Sequence, residues 1–155
     1  MKRYILIGML LLACLCSLQA QTSIFDKFAN HKEVTSIYIS KQMFSLISDL
    51  NVENSMLETF NVQGISKKLS AMHILTCESP ETIALLQKET SYFNSSNGYE
   101  ILMQVNEEDE QVNFFIKEGT EENEYILIIN YGDELTLIKM VGKLTLKEIM
   151  QAVDF

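Results

Sequence analysis

Four extended runs joined by short links fill the C-terminal half of the chain, and they limit the fold more than any other feature. The link Gly132-Asp133 is typical of a β-hairpin turn. Consecutive strands with short links pair with their neighbours in antiparallel fashion, so the sequence predicts a four-stranded meander. The runs are residues 99–106, 112–117, 125–130 and 135–141.

Two further strands and several helices are expected around this meander. The β-branched run 34–40 and the apolar run 72–77 are typical of strands. Apolar residues at helical spacing predict helices at residues 23–29, 43–50, 56–60, 79–93 and 145–153. Ser79 is expected to cap the helix that starts at Pro80, and Thr145-Leu-Lys-Glu148 has the pattern of a capping box. The pattern at 56–60 is the weakest, so we expect three to five helices. The predicted class is therefore α+β, with a mostly antiparallel sheet.

Apolar side chains occupy both faces of the predicted meander. Strand alternation assigns to the core face Tyr99, Ile101, Met103, Val105, Val112, Phe114, Ile116, Leu127, Ile129, Leu135 and Leu137. The opposite face carries a second-face strip, formed by Leu102, Phe115, Ile126, Ile128, Ile138 and Met140. A sheet face exposed to water is mostly polar, so something must cover this strip. Either a helix of the same chain covers it, or it binds a partner subunit, a protein or an apolar ligand.

The first twenty residues have the pattern of a secretory signal peptide. Lys2 and Arg3 precede a short apolar run, which ends in small residues before Ala20. Cleavage after Ala20 would leave residues 21–155 as a single α+β domain. Leu11-Leu12-Ala13-Cys14 also resembles a lipoprotein box, and the alternative is therefore a lipid anchor at Cys14. Either form would be exported, to the periplasm or the cell surface.

Acidic residues outnumber basic ones, and this limits the possible partners. The chain has 21 acidic and 12 basic residues, a net charge of −9. Without Lys2 and Arg3 the ten remaining basic residues oppose 21 acidic ones, a net charge of −11. Such a surface repels phosphate backbones and anionic lipid, so we expect no nucleic-acid partner. Membrane contact would then require the lipid anchor at Cys14.

The sequence assigns no catalytic, cofactor-binding or metal-ligating residues. Common nucleophile, zinc and phosphate-loop motifs are not found, and His31 and His73 stand in unrelated contexts. His73 and Cys77 share a strand face, but an extended chain separates them by roughly 13 Å. Cys77 ends an apolar run and is expected to be buried. The acidic runs near residues 107–110 and 133–134 are interpreted as solvated hairpin tips, with a weak calcium site or a basic partner as the alternative.

Several stretches resemble an exported Bacteroidota family known as domain of unknown function 4252. They are FDKFAN from Phe25, VTSIYISK from Val34, ILTCE from Ile74, GYEILMQV from Gly98 and GKLTLK from Gly142. The resemblance implies a small α+β envelope protein, lipid-anchored in some members, with no established activity. It also implies a weak link to envelope signalling through sigma factors.

We expect from these features a non-catalytic exported binding or interaction module of the bacterial envelope. It would act through the second-face strip on a protein partner or a second copy of itself, and without a cofactor. One alternative is a small secreted hydrolase that uses clustered carboxylates. The other, which the family resemblance suggests, is an accessory of an envelope sigma and anti-sigma system.

Overall fold

The computed structural model describes residues 23–50 and 65–152. The expected signal peptide at residues 1–20, the alternative anchor Cys14 and the expected helix at 56–60 lie outside these ranges. The helices are α1 (Ile24–Phe28), α2 (Lys41–Leu50), α3 (Pro80–Thr90) and α4 (Leu146–Ala152), with 3₁₀ turns at Ser66–Lys68 and Ser95–Asn97. The strands are β1 (Thr35–Ser40), β2 (Leu69–Cys77), β3 (Glu100–Asn106), β4 (Gln111–Lys117), β5 (Asn123–Asn130) and β6 (Leu135–Gly142).

All six strands belong to one antiparallel sheet with the order β1-β2-β6-β5-β4-β3. Strands β3 to β6 pair in sequence, which confirms the predicted C-terminal meander and the α+β class. Strand β2 then pairs with β6 and carries β1 on its other side. The central strands are therefore β5 and β6, and β1 and β3 form the edges.

Two helix starts follow from local hydrogen bonding. Ser23 accepts a bond from the backbone N–H of Phe25 at 3.2 Å and so caps α1. The predicted capping box before α4 is confirmed: Thr145 N–H donates to Glu148 at 3.0 Å, and Glu148 N–H donates to the Thr145 hydroxyl at 3.4 Å. The ammonium of Lys68, together with Thr145, lowers the pKa of Glu148 to about 2.

Helix α3 begins differently from the expectation. Pro80 occupies the first helical turn as predicted, but the Ser79 hydroxyl makes no capping bond. Ser79 and Thr82 instead hydrogen-bond the carboxylate of Glu33 and lower its pKa. The Glu33 carboxylate thus links the start of α3 to the segment between α1 and β1.

Gly142 allows the end of β6 to approach the start of β2 closely. A Cβ at this position would lie 2.3 Å from the carbonyl oxygen of Lys68, a distance that no side chain tolerates. The same carbonyl accepts the N–H of Lys143 at 3.0 Å. This contact joins the end of the meander to the N-terminal part of the sheet.

Helices of the same chain cover both faces of the sheet. On the first face Phe44 of α2 and Ile149 of α4 pack on residues such as Phe114 and Leu127. We call this the α2/α4 face. On the second, the α1/α3 face, Phe25 and Leu86 belong to a separate buried cluster. The sheet residues of that cluster are Leu75, Cys77, Ile126, Ile128, Leu135 and Leu137.

The prediction of which sheet face carries each side chain of β6 is wrong. Leu127 pairs with Ile138 and Ile128 pairs with Leu137, so Ile138 shares a face with Leu127. Leu137 lies on the opposite face, together with Leu135. Because β6 is apolar at most positions on both faces, alternation alone could not decide which of its residues face which side of the sheet.

Strand β3 also departs from simple alternation. Its pairing with β4 shifts between Ile101 and Met103, so Ile101 lies opposite Phe115 while Met103 lies opposite Phe114. The shift leaves Leu102 as the extra residue of a bulge. Tyr99 and Met103, expected on one face, therefore belong to different clusters.

The Tyr125 hydroxyl links the sheet to the segment before α4, and its removal should be costly. It is fully buried and donates to the Leu144 carbonyl at 2.8 Å. We expect Tyr125→Phe to lower the free energy of unfolding by about 1 kcal/mol, the usual net value of such a bond. Urea denaturation followed by circular dichroism measures this.

Tyr38→Phe is the matched control. Tyr38 is 63% exposed, so its change should stay within about 0.5 kcal/mol. Equal effects of the two substitutions would contradict the assigned role of the Tyr125 hydroxyl.

Candidate functional site

The structure does not bring the six residues of the second-face strip together. Phe115, Ile126 and Ile128 lie on the α1/α3 face, whereas Leu102, Ile138 and Met140 lie on the α2/α4 face. Ile126, Ile128, Ile138 and Met140 are buried beneath helices of the same chain. The strip is therefore not one continuous surface, because the register of β6 places Ile138 and Met140 on the other face and the bulge in β3 places Leu102 there as well.

A pocket of about 490 Å³ opens on the α1/α3 face, where helix coverage of the sheet is incomplete. Helix α1 forms one side, the segment after α3 forms another, and the sheet forms the floor. We call it the α1/α3 pocket. Its lining residues are Ser23, Ile24, Phe25, Lys27, Glu89, Tyr92, Phe93, Tyr99, Lys117, Glu124 and Lys139.

Three aromatic rings form one wall of this pocket and hold one another in place. Phe93 and Tyr99 meet edge to face with ring centroids 5.1 Å apart, and Tyr92 contacts both rings at 5.8 and 5.9 Å. Such arrangements match the positive edge of one ring with the negative face of the next. The wall is therefore rigid rather than a set of independent side chains.

The turn at residues 94–98 positions this wall. The side chain of Asn94 accepts the N–H of Asn97 at 3.2 Å, and the amide of Asn97 donates to the Tyr92 carbonyl at 2.8 Å. Gly98 follows with φ of +82°, a conformation that favours glycine. This geometry brings Tyr99 back towards Tyr92 and Phe93.

A hydrogen-bonded group of polar side chains forms the floor of the pocket. The Tyr99 hydroxyl donates to one oxygen of Glu124 at 2.5 Å, and the Lys139 ammonium lies 2.9 Å from the other. Burial, with the nearby Glu124 carboxylate, raises the pKa of Tyr99 far above its ordinary value. Tyr99 is therefore a protonated donor at any physiological pH, and both Glu124 oxygens are engaged.

Two further lysines lie at the pocket. Lys27 is paired with Glu89 at 2.6 Å on the exposed rim. Lys117 lies with its Nζ 5.0 Å from the centre of the Tyr99 ring. Within residues 23–50 and 65–152 no carboxylate forms an ion pair with Lys117. Three ammonium groups thus oppose two carboxylates, so the pocket is net positive in a strongly acidic protein.

His73 lies beside a second, smaller cavity of about 160 Å³. Its Nε2 is 2.9 Å from the Ser36 hydroxyl of the neighbouring strand, and the Phe25 ring stacks on it with centroids 5.1 Å apart. Burial lowers the pKa of His73, and the Asp26 charge partly opposes this effect. Ser36 does not line the cavity, so the pair links β1 to β2 rather than presenting a nucleophile. His73 therefore packs between the Phe25 ring and strand β1.

The other residues noted in the sequence lie apart from the pocket. Cys77 is buried as expected, and burial raises the pKa of its thiol. Glu110 and Glu134 both lie near Tyr131, so these two hairpins share one end of the sheet. In the part of the chain that the structure describes, no three His, Cys, Asp or Glu side chains cluster closely enough to hold a metal ion.

Comparison with family models gives one match. The model for a domain of unknown function, DUF4252, matches residues 27–152. The chain belongs to the DUF4252 family. No curated protein matches its sequence. Among the described residues of this DUF4252 protein, none of the helices has the length and hydropathy needed to cross a membrane.

Sequence reasoning missed the pocket of this DUF4252 protein. The one signal in the sequence was a cluster of aromatic residues within eight positions around a glycine turn: Tyr92, Phe93 and Tyr99. This spacing could have indicated the aromatic wall. Lys117, Glu124 and Lys139 come from three different strands, so only the register of the sheet brings them together.

The depressed pKa of His73 predicts a specific pH dependence of stability. The ordinary value is 6.5, so on acidification the unfolded chain binds this proton before the folded one does. The free energy of unfolding should therefore fall as pH decreases below 6.5, until the folded protein is protonated as well. We expect His73→Gln to flatten this slope in the range just below pH 6.5, as measured by urea denaturation at each pH.

His31→Gln is the control, because His31 lies outside the sheet, between α1 and β1, and its hydrogen bond to the Glu33 N–H is exposed. An unchanged slope in His73→Gln would contradict the assigned environment of this side chain.

Proposed function

We propose that this protein is a non-catalytic binding module of the bacterial envelope and that the α1/α3 pocket is its binding site. The observation that carries the proposal is a preformed cavity of about 490 Å³ with a rigid aromatic wall and a polar floor. Ligand pockets typically have this size and combine apolar lining with a few fixed polar groups.

The polar groups of the pocket favour binding over turnover. Glu124 is held by Tyr99 and Lys139, and Glu89 is held by Lys27. A general base needs an acceptor free to take a proton from a bound substrate. Because both pocket carboxylates are engaged by donors of the same chain, the hydrolase alternative gains no support from this site.

Export belongs to the same proposal. With cleavage after Ala20 the mature chain would start at Gln21, two residues before Ser23, which lines the pocket. With a lipid on Cys14 instead, eight residues would separate the anchor from Ser23, and the pocket would lie close to the membrane surface. We propose the cleaved form in the periplasm or at the cell surface. The protein partner or self-association expected from the sequence stays a prediction.

A neutral fluorescent probe tests the pocket directly. The protein contains no tryptophan, so the emission of N-phenyl-1-naphthylamine can be read without interference. We expect residues 21–155 to bind this probe, and Tyr92→Ala to weaken binding about tenfold, because one of the three rings of the wall would be lost. Fluorescence titration measures the dissociation constants.

Tyr131→Ala is the matched control for this titration. Tyr131 is about half exposed and follows β5 at the end of the sheet opposite the pocket. It should leave binding unchanged. Failure of the wild-type protein to bind, or equal effects of the two substitutions, would contradict the pocket as binding site.

The proposed processing has its own test. Intact mass spectrometry of the protein purified from its native envelope should show a chain that starts at Gln21, or its pyroglutamate. A mass that corresponds to a diacylglyceryl Cys14 would establish the lipid-anchored form instead.

A further inference from the structure

We infer that the ligand of the α1/α3 pocket is a small aromatic or acyl monoanion whose charged group binds the Lys117 ammonium. This inference rests on the proposed function, because it names the class of ligand for the same site. It depends on three features of the pocket: the unpaired ammonium, the aromatic wall and the two engaged carboxylates.

Lys117 differs from the other two pocket lysines. Lys27 and Lys139 lie 2.6 and 2.9 Å from carboxylates, so their charges are largely neutralised. The Nζ of Lys117 lies over the face of the Tyr99 ring, 5.0 Å from its centre. Glu124 is opposite Lys117 on the neighbouring strand, but no carboxylate of the described chain lies within ion-pair distance of its Nζ. Its ammonium therefore keeps donors available for an anion of the ligand.

The backbone holds Lys117 in this position. A Cβ at Gly98 would lie 3.5 Å from Cε of Lys117, so the lysine stem crosses over the glycine. The side chain is only partly exposed, and its end lies over the Tyr99 ring. Less side-chain freedom is then lost when an anion binds, which favours recognition.

The aromatic wall could in principle attract a cation instead. Aromatic faces bind ammonium ligands, but here Lys117 already occupies the face of Tyr99. The net positive charge of the pocket, which comes from Lys117, would also repel a cationic ligand. The rings of the wall that Lys117 does not cover can therefore contact a planar or aliphatic group without positive charge.

The two carboxylates limit the charge of the ligand. Glu89 and Glu124 line the same pocket as Lys117. A dianion such as a phosphate monoester would meet both of them, and only one ammonium is free to compensate. The lining therefore matches a single negative charge attached to an apolar body.

Two probes with the same ring system separate charge recognition from general pocket binding. 8-Anilinonaphthalene-1-sulfonate carries one negative charge, and N-phenyl-1-naphthylamine carries none. We expect Lys117→Met to weaken binding of the anionic probe about five- to tenfold, as for a charge-assisted hydrogen bond, and to change binding of the neutral probe less than about twofold. Binding of the anionic probe to the wild type should also weaken with added salt.

Two matched variants accompany this measurement. Lys88→Met removes an exposed lysine of α3 that does not line the pocket, and it should leave both probes unaffected. Lys117→Arg retains the charge and should keep binding of the anionic probe near the wild-type value. Should Lys117→Met unfold, the arginine variant and the salt dependence still decide the question.

Three results would overturn the inference. They are an unchanged affinity of Lys117→Met for the anionic probe, an equal loss for both probes, and a wild-type affinity that does not depend on salt. In each case the wild-type protein still binds the neutral probe, so the pocket survives as a binding site. Failure of the neutral probe to bind the wild type contradicts the proposed function itself.

Discussion

The antiparallel pairing of β5 with β6 is the constraint on which the rest of the structure depends. It sets Leu127 against Ile138 and Ile128 against Leu137, so the two central strands are apolar on both faces. Neither face can be left in water, because burial of each such side chain contributes on the order of 1.5–3 kcal/mol. The chain meets this requirement with its own helices, α2 and α4 on one side and α1 and α3 on the other.

The pocket follows from the unequal lengths of these helices. Helix α1 has five residues, too few to cover the part of the α1/α3 face between β3 and β6. The aromatic segment after α3 supplies the opposite wall, and between the two the sheet presents Lys117, Glu124 and Lys139. A polar floor is tolerated there because Tyr99, Glu124 and Lys139 satisfy one another. The proposed binding site therefore lies where the covering of the sheet is incomplete.

The sequence was sufficient for features that depend on neighbouring residues. The capping box at Thr145, the hairpin at Gly132 and the meander all follow from local patterns, and the structure confirms them. The phase of β6 could not be predicted, since strands that are apolar on both faces fit either register. The polar floor of the pocket could not be predicted from the sequence for a related reason. Its polar residues lie on different strands, and the wrong phase of β6 also misplaced the second-face strip.

The central claim is that both faces of the sheet are internal core, and paired alanine substitutions test it most directly. Ile126 and Ile138 lie on neighbouring central strands but on opposite faces, and they are 0% and 1% exposed. Ile126→Ala and Ile138→Ala should each lower the free energy of unfolding by about 2–5 kcal/mol in urea denaturation, because each opens a cavity beneath a helix. A change below about 0.5 kcal/mol for either residue, with the protein monomeric, would show that one face is not core.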